Sequence, residues 1–120
     1  NNYEIGDIVF VSEYKYKDGS SGNGHLFVII DKEMNELVSI EYFGLIISSR
    51  VYKQKNLSKY QYNELLKKSK LNGLLCDSIV KCDVLYNIPR ENILFKIGSI
   101  DIDDYIKFIN VYKNVMEKSI

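Results

Sequence analysis

Gly6-Asp7-Ile8-Val9-Phe10-Val11-Ser12-Glu13-Tyr14-Lys15-Tyr16-Lys17-Asp18-Gly19-Ser20-Ser21-Gly22-Asn23-Gly24-His25-Leu26-Phe27-Val28-Ile29-Ile30-Asp31 is the stretch that decides the fold. Its first part alternates, with Ile8 and Phe10 set against Asp7, Val9 and Val11, as a strand does. The strand is expected over Ile5 to Ser12. A polar, glycine-rich loop over 13–24 follows, with turn chemistry at Asp18-Gly19 and Gly22-Asn23-Gly24. Leu26 to Asp31 is then a buried strand. His25, the one histidine of the chain, is expected where loop meets strand. There the strand would hold the backbone while the loop leaves the ring open, a common place for a binding or catalytic group.

Working outward, Leu37 to Ser49 is a long apolar stretch interrupted by Gly44, which reads as a bent or bulged strand. Ser58 and Gln61 fit a capping box, and Leu57 with Tyr62 fits the hydrophobic staple that accompanies it. The pattern predicts a helix that turns Leu65 and Leu66 inward. Its last turn would hold Lys67, Lys68 and Lys70, and it would stop at Asn72-Gly73. The lysines suit a helix C-terminus or a nucleic-acid contact. Leu74 to Leu85 is strand-like, and Pro89 breaks it. Ile93 to Ile97 is a short strand closed by Gly98. A final helix begins at Asp101, with Asp103 and Asp104 in its first turn. Ile102, Ile106, Ile109, Tyr112 or Lys113, and Met116 recur at helical spacing.

The sum is a mainly β, α+β domain over residues 1–120: a small SH3-like antiparallel barrel with an inserted helix and a C-terminal helix. A chain of 120 residues suffices for one packed core. No apolar run approaches a membrane span, and the start has no signal-peptide pattern, so the expected location is cytoplasmic and off the membrane. Sixteen basic and sixteen acidic residues give no net charge, which argues against non-specific duplex DNA binding. Cys76 and Cys82 with one histidine make no metal set, so no metal or cofactor is expected. Both thiols are expected to be reduced and buried. Ten tyrosines and no tryptophan suggest aromatic surface sites able to stack bases or fill interfaces.

The order of these pieces resembles the PemK/MazF family, the endoribonuclease toxins of type II toxin–antitoxin pairs. Gly6-Asp7-Ile8-Val9 resembles the family's opening. Gly24-His25-Leu26-Phe27-Val28-Ile29-Ile30 resembles its loop, basic motif and apolar strand. Ile47-Ser48-Ser49 resembles its later strand ending in Thr or Ser, and Leu75-Cys76-Asp77-Ser78-Ile79-Val80 a further strand. Lys96-Ile97-Gly98-Ser99-Ile100 and the last helix complete the likeness, which spans nearly the whole chain. By strict register Leu26 stands where the family has its catalytic arginine. A slip of one residue brings His25 there, and the apolar character of Leu26 to Ile30 favours His25 as the substitute.

The resemblance implies a metal-independent endoribonuclease toxin that cuts single-stranded RNA, works as a homodimer and is held by an acidic antitoxin. Such cleavage needs a base for the 2′-hydroxyl, an acid for the leaving 5′-oxygen and a donor on the phosphate. His25 suits acid or base work. Ser48 or Ser49 can hydrogen-bond the phosphate, and Arg50 can supply fixed charge. Lys15 and Lys17, interleaved with Tyr14 and Tyr16, suit a grip on RNA backbone and bases. Each has a plainer reading: a surface histidine, a strand end, a half-exposed strand. The alternative to the nuclease is a non-catalytic barrel that binds RNA or a protein partner.

Overall fold

In the computed structural model of the chain, the described residues are 2–15, 19–34, 40–49 and 62–118. They form seven strands: β1 (Asp7–Lys15), β2 (Ser21–Met34), β3 (Ile40–Ser48), β4 (Asn63–Leu66), β5 (Ser78–Lys81), β6 (Tyr86–Ile88) and β7 (Ile93–Ser99). One α-helix follows, α1 (Ile102–Lys118). The strands pair antiparallel in the order β4-β5-β3-β2-β1-β7, and β6 pairs with β3 off that path. The path ends at β4 on one side and β7 on the other, so the curled sheet does not close. The architecture is thus an antiparallel α+β domain. No described helix is long and apolar enough to cross a membrane.

The sheet buries both faces because its central strands carry apolar residues at odd and even positions alike. On one face Ile8, Val28, Leu45, Ile47, Leu66 and Val80 pack under Phe108 of α1, with Tyr105, Ile109, Val111 and Tyr112 alongside. On the other, Val9, Val11, Phe27, Ile29, Tyr42 and Ile46 are closed over by Tyr86, Ile88 and Ile93. Gly44 permits this second closure. A Cβ there would stand 2.8 Å from Ile88 Cδ1 and 2.9 Å from the Val28 carbonyl oxygen. The bulge expected at Gly44 is carried by the opposite strand, where the register steps from Ile29↔Gly44 to Asp31↔Phe43 and leaves Ile30 over.

Gly6-Asp7 is a structural joint. The Gly6 N–H donates to Ile29 O at 2.7 Å, and Gly6 O accepts from Ile100 N–H at 2.8 Å, so one residue ties β2 to the lead into α1. Gly6 has φ +94°, which glycine tolerates best. Asp7, only 5% exposed, accepts the Glu4 N–H at 2.9 Å and pairs with Lys96 of β7 at 3.0 Å.

Three expectations are corrected. The 13–24 loop is largely strand: β1 runs to Lys15, β2 starts at Ser21, and the two residues pair. Gly22 sits in the strand because the Tyr14 ring fills its missing side chain's place; a Cβ would lie 2.6 Å from Tyr14 Oη. The inserted helix is absent from the described part of its range. Leu65 and Leu66 lie in β4, paired with Ile79 and Ser78. Its expected stop is a turn stapled by Asn72, whose Oδ1 accepts from the Ser69 and Leu74 N–H groups at 3.0 Å each. Its Nδ2 donates to Lys67 O at 2.8 Å. The capping box at Ser58 and Gln61 lies outside the described residues.

The final helix starts as its sequence says, with Asp101 Oδ1 accepting the Asp104 N–H at 2.8 Å. Its inward face is corrected. Phe108, Tyr105, Ile109, Val111 and Tyr112 face the sheet, whereas Ile102, Ile106 and Met116 are exposed. The helix is fastened by Lys107, whose ammonium donates to Leu65 O at 2.9 Å.

Candidate functional site

Phe10, Leu26, Ile47 and Val80 form a row across β1, β2, β3 and β5, each opposite the next. Beside the row opens a cleft of about 200 Å³, lined by Phe10, Gly24, His25, Leu26, Ile47, Ser49 and Ser78. Its position follows from the strand ends. β3 stops at Ser48 and β5 starts at Ser78, so Ser49 and Ser78 stand at neighbouring ends of a paired couple. Gly24 adds no side chain to the wall; a Cβ there would lie 3.2 Å from Phe10 Cζ.

His25 is a strand residue opposite Val11, not a loop-junction residue. Its Nδ1 accepts the Leu26 N–H at 3.1 Å. The same Nδ1 lies 3.4 Å from the Leu26 carbonyl oxygen, so this ring nitrogen faces both the donor and the acceptor of one backbone residue. The imidazole meets the rings of Tyr14 and Phe27 edge-on, with centroids 6.1 and 6.3 Å away. The arrangement holds the ring in one orientation.

The other candidates separate. Ser48 follows the alternation of β3 with Ile46, so it belongs to the opposite face from Ile47 and Ser49. It does not line the cleft. Lys15 lines a second, larger opening of about 640 Å³ with Tyr14, Ile40, Asn87, Arg90 and three glutamates, Glu13, Glu41 and Glu91. Tyr14, which lines that opening, touches the His25 ring that lines the cleft. Tyr14 itself is buried against Phe27 and Tyr86, so it is a packing residue and not an open stacking surface. Arg50, Tyr16 and Lys17 lie outside the described residues.

Among the described residues no group of His, Cys, Asp and Glu is placed to hold a metal ion. Both cysteines are free, but the expectation that both are buried is corrected: Cys76 is exposed ahead of β5, and Cys82 is buried just after it. Burial pushes the Cys82 thiol up to about 12, with Glu64 and Asp83 adding to the rise and Lys107 opposing it.

Sequence reasoning misses Phe10, Ser78 and Phe95. Phe10 reads as an ordinary alternating strand residue, and Phe95 as part of a short apolar run. The register places them opposite each other, and their rings stack at 5.2 Å with 10° between planes. Only the pairing of β1 with β7 carries that signal, and no local pattern announces it. No protein-family model matches the chain, and no curated protein matches it.

Proposed function

We propose that this protein is a PemK/MazF-like toxin of a type II toxin–antitoxin pair, a metal-independent endoribonuclease acting on single-stranded RNA in the His25–Ser49 cleft. The single observation that carries the reading is that His25 and Ser49, far apart in sequence, line one cleft. In the reaction the RNA 2′-hydroxyl attacks the adjacent phosphorus, the bond to the 5′-oxygen breaks, and a 2′,3′-cyclic phosphate and a free 5′-hydroxyl result. The proton lost by the 2′-hydroxyl is balanced by the one gained by the leaving 5′-oxygen, and the His25 imidazole, which lines the cleft, passes it or donates a hydrogen bond to the phosphate. The Ser49 hydroxyl steadies a non-bridging oxygen. Arg50, next in the chain, supplies charge. The acidic antitoxin and the homodimer belong to the same proposal.

A second reading has its own support. His25 Nδ1 is turned to the backbone of Leu26, and the described lining of the cleft holds no carboxylate to serve as base. A barrel that binds single-stranded RNA without cutting it fits this observation. Incubation of wild-type and His25→Ala protein with a long unstructured RNA in EDTA separates the two. Cuts at a short motif that vanish in the variant support the nuclease. Retained RNA without cuts supports the binder. RNA neither bound nor cut refutes both.

A further inference from the structure

The proposed RNA site leaves one feature unused, the stacked pair Phe10–Phe95. We propose that Phe95, backed by Phe10, is the platform on which a base of the RNA stacks as its neighbouring group enters the cleft; the inference rests on the RNA reading above. Phe10 is common to both features, since it lines the cleft and lies face to face with Phe95. Phe95 is 51% exposed although one of its faces rests on Phe10. Its other face is therefore the wet one. A flat aromatic face open to water, joined through Phe10 to a cleft that Ser49 and Ser78 line, is complementary to a nucleobase, which is flat and apolar on its faces and polar at its edge.

The cleft's size agrees. At about 200 Å³ it is smaller than the roughly 300–1,000 Å³ that encloses a whole small-molecule ligand. It suits one group of a polymer whose remainder lies outside. Phe10 is held in place by β2 on one side and β7 on the other, opposite Leu26 and Phe95 respectively. The platform is thus built on strands and needs little ordering when the base arrives. Stacking of this kind accepts any base, so the platform contributes affinity and position, and the choice of sequence falls to the cleft.

The chain has no tryptophan, so Phe95→Trp installs a single fluorescent reporter that keeps an aromatic platform. The probes are a 12-nucleotide single-stranded RNA and its abasic counterpart of equal length, both titrated in EDTA. The expected result is quenching of the indole fluorescence of Phe95→Trp by the base-bearing RNA and little by the abasic strand. Phe95→Ala should bind the base-bearing RNA about ten- to a hundredfold more weakly with an unchanged melting curve. Phe95→Trp should bind it as wild type does. If wild type binds the RNA but Phe95→Ala binds equally well and the indole stays unquenched, the platform is refuted and the RNA reading stands. If wild type binds no RNA, the RNA reading falls and this inference falls with it. If Phe95→Ala instead converts a dimer to a monomer in sedimentation without altering RNA affinity, the face belongs to a second copy of the chain and the proposal is overturned.

Discussion

Asn72→Ala tests the most consequential difference between the sequence pattern and the fold. Asn72 is 3% exposed, and its amide makes three hydrogen bonds to the backbone of its own turn. Two of the groups it serves, Ser69 N–H and Lys67 O, belong to exposed residues and can turn to water when the amide is gone. The third, Leu74 N–H, is buried and is left without that acceptor. One stranded buried donor costs about 1–3 kcal/mol, and each of the two exposed bonds about 0.5–1 kcal/mol. The sum is a loss of roughly 2–5 kcal/mol, a large share of the few to fifteen kcal/mol typical of a domain. Equilibrium urea unfolding should show a lower midpoint with an unchanged slope. Asn72→Asp keeps the two acceptor contacts and loses the donor, so it should fall between. A helix ending at Asn72 would respond in the opposite sense, because alanine is the better helix former. A midpoint that stays put or rises in Asn72→Ala would therefore refute the stapled turn and restore the helical reading.

Two further outcomes follow from the core. The Cys82 thiol stays neutral in the fold up to about 12, from an ordinary value of 9.0, so its contribution is complete below pH 9 and is lost as pH rises toward 12. Urea midpoints across that window should fall, by up to about 1.4 kcal/mol per pH unit from this group, and the fall should be shallower in Cys82→Ala; parallel curves would refute the assignment. Gly98→Ala should destabilise by about 3 kcal/mol or more, because the new Cβ would lie 2.5 Å from the backbone oxygens of Asn72 and Leu71, the second of which accepts the Ser99 N–H and ties the turn to β7; a midpoint shift worth less than about 0.5 kcal/mol would show that the crossing can widen.

The β-rich class, the apolar strand after His25 and the final helix's cap are all legible because each rests on local chemistry. Asp101 caps whatever helix follows it, and Phe27 to Ile30 is too apolar to lie anywhere but inside. The failures share one cause, which is chemistry that looks local and is tertiary. Gly22 and Gly24 read as loop residues, yet they lie in β2 because Tyr14 and Phe10 occupy the space beside them. Leu65 and Leu66 read as the inner side of a helix, but so short a segment does not distinguish a helix face from a strand, and pairing with β5 decides. The inward face of α1 is ambiguous for the same reason. Ile102, Ile106 and Phe108 are all apolar, and only the position of the sheet selects Phe108.

The site is half legible, and the unread half turns on Gly24. Strict alternation along β1 would put Tyr14 on the same face as Ile8 and Phe10. Instead it packs with Phe27 and Tyr86 on the other face. The change of phase falls between Val11↔His25 and Glu13↔Asn23, beside Gly24 with its φ of +57°. Glycine adopts that left-handed conformation without strain. The change of phase has two effects at once. It brings the Tyr14 ring against the imidazole of His25, which fixes the ring's orientation. It also leaves bare backbone beside Phe10, so the cleft has a floor and the stacked phenylalanines have an open neighbour. The glycine before the histidine thus does more than end a loop. It stands between the histidine's support on one face of the sheet and the opening beside Phe10 on the other.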